Sequence, residues 1–113
     1  MTPSIVQISG VKECCLCKME ALTWDISADL PQSGLHRHHI IYGRGRRSLS
    51  EKYGLWVWLC PDHHEFGPAA VHHSGTLEGK ENDRLLKRIA QQSFERMYGH
   101  DKWMEVFGKN YLD

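Results

Sequence analysis

Cys14-x2-Cys17 and Cys60-x2-His63 constrain this chain more than any other feature. Two donor pairs, each three residues apart and far from one another in sequence, form the spacing of a tetrahedral zinc site, in which both pairs turn onto one ion. With only 113 residues the core is small, and a metal staple supplies stability that burial alone does not. Adjacent Cys14 and Cys15, with histidines interleaved among the cysteines, fit thiolate ligation better than two disulfides. Cys15 is then left over as a small packed thiol.

Assigning those four ligands leaves His38, His39, His64, His72 and His73 over. A structural zinc closes with four ligands, so a second set of imidazoles beside it points to an open site that does chemistry. The segment Leu35 to Tyr42 alternates as a strand, with His36 and His38 on one face and His39 on the other; His36 is read as structural. A loop from Gly43 to Ser48 follows, and the aromatic and β-branched run Leu55 to Leu59 reads as a second strand. Pro61 and Asp62 start a helix at the second histidine pair, which Gly67-Pro68 ends early.

Elsewhere Ile5 to Ile8 suits a short strand or an ordered arm, Leu22 to Ile26 a strand, and Pro31 to Gly34 a turn. Leu85, Leu86, Ile89, Ala90, Phe94 and Met97 recur at helical spacing from Glu81 to Tyr98, with Gly99 as the cap. Asp101 to Phe107 reads as a final helix that covers the core with Trp103, Met104 and Phe107. The expected architecture is α+β in one domain over 1–113, with the metal-binding core at about 14–73 and the helical part at about 80–113.

Formal charge balances at 14 Lys+Arg against 14 Asp+Glu, so no global basic field argues for nucleic acid. The local cluster Arg44, Arg46 and Arg47 does, because guanidinium forks grip backbone phosphates, and Gly43 and Gly45 allow close approach. Such contacts carry no base code, so strand or structure preference is expected rather than strict sequence specificity. The start of the chain lacks a basic signal-peptide region, and no run approaches the ~18 apolar residues of a membrane span. An intracellular, cytoplasmic protein is expected.

The order strand, loop, strand, helix, with His-His-Ile on the first strand and Leu-Cys-x-x-His-His entering the helix, resembles the HNH endonuclease family from Cys14 to about His73. That resemblance implies a ββα-metal core braced by a zinc knuckle, with Cys14, Cys17, Cys60 and His63 on the knuckle positions. It further implies metal-dependent hydrolysis of nucleic-acid phosphodiesters, DNA foremost, with His39 as general base. The catalytic divalent ion (Mg²⁺, Mn²⁺, Ni²⁺ or Zn²⁺) falls to His38, His64 and one of His72 or His73, with His72 the first choice. His38 stands where the family has an acidic ligand, and Leu55-Trp56-Val57 stands where its Asn begins the second strand.

The segment Ser50 to Cys60 and the tail Phe107 to Leu112 resemble small HNH proteins of prophage replication and recombination regions, which implies a phage or prophage source and a replication or recombination partner. Zero net charge also admits a homodimer. One alternative reading is a non-catalytic zinc module that binds nucleic acid or a replication or recombination partner and keeps the histidines as a second structural metal site; another is a protein-interaction or inhibitor domain that uses an exposed aromatic tail, Trp103 to Leu112, as its contact surface.

Overall fold

The computed structural model describes residues 2–7, 12–23, 33–72 and 75–112. The fold is α+β. Helix α1 spans Cys15–Thr23, strand β1 His36–His39, helix α2 Arg46–Tyr53 and strand β2 Trp56–Leu59. A five-residue π turn at Asp62–Phe66 follows, then the 22-residue helix α3 (Leu77–Tyr98) and helix α4 (His100–Phe107).

The two strands pair antiparallel, His36 opposite Leu59, Arg37 opposite Trp58, His38 opposite Val57 and His39 opposite Trp56. Ile40 N–H donating to the Leu55 carbonyl at 3.0 Å carries the pairing one step beyond the ladder. The expected strand from Leu35 to Tyr42 is thus cut to four residues. The buried Ser50 hydroxyl stops it, accepting from Ile41 N–H at 3.1 Å and donating to the Ile41 carbonyl at 2.6 Å, so α2 takes over that backbone.

Two helices stand where sequence periodicity gives little signal. Leu22 and Thr23, expected in a strand, complete α1; Trp24, Asp25 and Ile26 lie outside the described residues, as do Ile8, Pro31, Gln32 and His73. The loop expected through Ser48 tightens at Gly43 and Gly45, both at positive φ, and becomes α2 from Arg46. Gly54 ends α2 at φ 73°, and the amino-terminal arm presses so closely that a Cβ there would collide with the Pro3 carbonyl. Ile5 N–H donates to the Gly54 carbonyl at 2.9 Å and Trp56 Nε1 donates to the Thr2 carbonyl at 2.8 Å, so residues 2–7 form an arm rather than a strand.

Helix α3 starts four residues earlier than the apolar repeat suggests, because Thr76 caps it by accepting from Gly79 N–H at 3.1 Å. Its buried stripe is Leu86, Ala90 and Phe94, whereas Leu85 and Met97 face outward. These meet Trp103 and Phe107 of α4, and one core runs from Cys14 and Leu16 through Ile40, Ile41, Leu55, Val57 and Leu59 to that helical layer.

The tail is tied down rather than presented. Trp103 is fully buried and its Nε1 donates to the Lys109 carbonyl at 2.7 Å. Buried Gln91 accepts from Tyr111 N–H at 2.7 Å and donates to Asn110 at 2.8 Å. This overturns the reading of Trp103 to Leu112 as an exposed contact surface. No helix among the described residues is long and apolar enough to cross a membrane.

Candidate metal centres

The sulfur cluster forms where the entry of α1 meets the end of β2. Cys14 and Cys17 flank the first turn of α1, and the Cys17 amide points at Cys14 Sγ at 3.5 Å, so the helix start offsets thiolate charge. Cys60 ends β2, and the π turn brings His63 back over it. His63 Nδ1 lies 3.6 Å from Cys14 Sγ and 3.3 Å from both Cys17 Sγ and Cys60 Sγ; the Cys17 and Cys60 sulfurs are 3.8 Å apart. All four ligand atoms lie within 4.8 Å of one another, close enough to hold a metal such as zinc. None of the four cysteines is in a disulfide.

The members of that set act strongly on one another, and burial, with Cys14 and Cys60 beside it, pushes the Cys17 thiol up. Burial alone would push Cys14 up, but its hydrogen bonds to His63 and to the Cys60 and Cys17 backbone bring it down to about 7. His63 is raised to about 10, chiefly by the hydrogen bond to Cys14, with Glu20 adding to it. Glu20 Oε1 lies 2.8 Å from His63 Nε2, a carboxylate on the nitrogen that faces away from the sulfurs. Cys15 stays out of the set, its thiol pushed up to about 11 by burial.

One residue further on, His64 enters a different environment. Its donor nitrogen and those of His38 and His72 lie within 4.8 Å of one another. The rings meet edge to face, with centroids 5.3 Å (His38 to His64), 5.2 Å (His38 to His72) and 4.7 Å (His64 to His72) apart. His38 is 2% exposed, and its buried Nε2 has no hydrogen-bond partner. Leaving a buried donor or acceptor unmade costs roughly 1–3 kcal/mol, and the donor atoms of these three imidazoles lie close enough together that they could hold a metal ion. Burial lowers His38 to about 3, with His64 and His72 adding to it; burial, then His72 and His36, lower His64 to about 4. Both are therefore neutral near pH 7 with lone pairs available.

The remaining sequence candidates lie around this group. His39 is on the opposite strand face, as the alternation requires, with its buried Nε2 3.7 Å from Glu51 Oε1 and no hydrogen-bond partner. Glu51 comes from α2 and also accepts from Arg37 Nη2 at 2.6 Å. Arg44, Arg46 and Arg47 are exposed in the turn before α2 and its first turn, and Arg47 is near enough for its charge to contribute to lowering His64. On the other flank Lys87 sits 4.5 Å over the Tyr42 ring, which packs on His72 at 5.3 Å.

Two participants escape sequence reasoning. Glu20 is one of several acidic residues until α1 carries it to His63. His36, read as structural, has Nδ1 only 2.8 Å from His64 Nδ1, and its presence on the His38 face was the available signal. Comparison with protein-family models, with curated proteins and with solved structures finds no match for this chain.

Proposed function

We propose that the chain is a metal-dependent nuclease of the HNH type, in which a zinc knuckle of Cys14, Cys17, Cys60 and His63 braces a ββα-metal core. The observation that carries this reading is the orphaned Nε2 of His38, buried and gathered with His64 and His72. Three imidazole donors suit Zn²⁺ or Ni²⁺ better than Mg²⁺ or Mn²⁺, which prefer oxygen donors. His38, His64 and His72 would hold the ion, which would supply charge stabilisation for phosphodiester hydrolysis.

The chain's own residues would supply the rest. His39 is the proposed general base, taking the proton of the attacking water. The sheet has two strands, so β1 has a free edge among the described residues, along which a substrate could reach both faces. Arg44, Arg46 and Arg47 would hold flanking phosphates of nucleic acid, DNA foremost, without reading bases. A second reading, a non-catalytic metal-stabilised binding module, draws on one observation: His39 faces Glu51 rather than the histidine cluster.

Supercoiled-plasmid cleavage by wild type, His38→Ala and His39→Ala, each with EDTA, Mg²⁺, Mn²⁺, Ni²⁺ or Zn²⁺, separates the two. The nuclease reading expects metal-dependent cutting by wild type and a loss of about 10²–10⁴ in His39→Ala, the usual worth of a general base. It expects a comparable loss in His38→Ala. Binding of DNA by all three proteins without cutting by any would favour the module.

A further inference from the structure

We propose that His36 is a positioning residue for His64: it fixes which His64 nitrogen carries the proton and so leaves Nε2 as the ligating atom. This rests on the reading of His38, His64 and His72 as an open metal site. The two Nδ1 atoms are 2.8 Å apart, a hydrogen-bond distance. Two N–H groups would collide at that separation and two lone pairs would repel, so one proton lies between the rings. A neutral His64 that ligates through Nε2 must carry its proton on Nδ1. Nδ1–H then donates to the His36 Nδ1 lone pair, and the proton of His36 is on its own Nε2.

The placement suits that task. His36 is held by the β ladder opposite Leu59, on the His38 face, and the two rings meet edge to face at 4.9 Å. Its donor atom groups with those of His64 and Glu65, whereas the other group is His38, His64 and His72, so His64 is the member both share. Glu65 Oε1 stands 3.9 Å from His64 Nδ1, beyond hydrogen-bond reach. The acceptor that metal-ligating histidines usually find in a carboxylate or carbonyl is here another imidazole. With His36 outside the ligand set, three protein nitrogens bind and the remaining positions stay open to substrate; with His36 inside it, a four-histidine site would be closed and structural.

The test is a Co²⁺ titration of the full chain with zinc occupying the sulfur cluster, read by visible absorption, for wild type, His36→Ala and His36→Asn. Retained zinc reports that each variant is folded. The proposal expects His36→Ala to bind Co²⁺ about 10–100-fold more weakly, the usual effect of losing such a partner, yet to reach the wild-type spectrum at saturation. His36→Asn, whose amide oxygen can accept from His64 Nδ1, should recover much of the affinity. A changed band position or intensity in saturated His36→Ala would overturn the proposal in favour of direct ligation. Unchanged affinity would overturn it outright while leaving the metal site standing. A wild type that binds no Co²⁺ beside its zinc would sink both the proposal and the site on which it rests.

Discussion

His63 and His64 are neighbours in the chain, share one π turn, and are driven in opposite directions. His63 points at three sulfurs and a carboxylate and is raised to about 10, its hydrogen bond to Cys14 contributing most. His64 points at other imidazoles and is lowered to about 4, burial contributing most. The sulfur cluster sets thiols against one another and against a histidine, lowering Cys14 and raising Cys17; the histidine cluster sets buried imidazoles against one another, lowering His38 and His64. Two groups of donor atoms that could each hold a metal ion therefore stand one residue apart in the chain, and the partners rather than the histidine set the direction in which each ring is driven.

The largest test of that contrast removes one ligand from each cluster. Cys60→Ser should lose its zinc and its cooperative thermal transition, since apparent binding energies of structural zinc in small peptides reach about 10–16 kcal/mol near pH 7. His64→Ala should keep one zinc per chain and a cooperative transition, with a loss of about 1–3 kcal/mol from the vacated site. Native mass spectrometry and circular dichroism read both variants. Unfolding of the His64 variant with zinc release would erase the distinction between the two centres.

Much of the sulfur centre was legible because its signal is local: each ligand pair is fixed by one turn, so Cys14-x2-Cys17 and Cys60-x2-His63 could be paired on chemistry alone. The alternation of β1 likewise separated His38 from His39, whereas the apolar repeat of α3 was legible only in part: Leu86, Ala90 and Phe94 are buried, but Leu85 and Met97, which share the repeat, face outward. Helix α2 was hidden because Arg46–Tyr53 is short and polar, with Ser50 its one buried residue, so no apolar period exists to detect. The partners of the histidines were hidden for a related reason. Glu20, Glu51 and His36 reach His63, His39 and His64 across 43, 12 and 28 residues respectively, distances over which spacing carries no information.

Acidification gives an intermediate effect. The folded pKa of His64, about 4, lies below the ordinary 6.5, so between those values the unfolded chain binds more protons than the folded one. Stability should therefore fall as pH drops from about 6.5 towards 4, with this histidine contributing at most about 1.4 kcal/mol per pH unit. Loss of zinc in acid also weakens the fold, but it is shared by His64→Gln, so the difference between the two proteins isolates the imidazole. Urea unfolding at half-unit steps should show the variant declining more shallowly. Parallel curves would mean that the ring is not held neutral by its surroundings.

The smallest expected effect concerns the carboxylates outside each cluster. Glu20 Oε1 is 2.8 Å from His63 Nε2, whereas Glu65 Oε1 is 3.9 Å from His64 Nδ1. The first distance is a hydrogen bond that pins a tautomer, leaving Nδ1 for the ion; the second is beyond hydrogen-bond reach. The Glu20 side chain is 53% exposed, so its charge is screened and its worth lies mainly in orientation. Glu20→Gln should weaken zinc affinity by about tenfold, the low end for such partners, in competition with a chromogenic chelator. Glu65→Gln should leave both zinc and Co²⁺ affinities within about twofold of wild type, because an ion pair at that separation near the surface contributes little. A Glu65 effect as large as that of Glu20 would make the carboxylate, rather than His36, the group that orients His64.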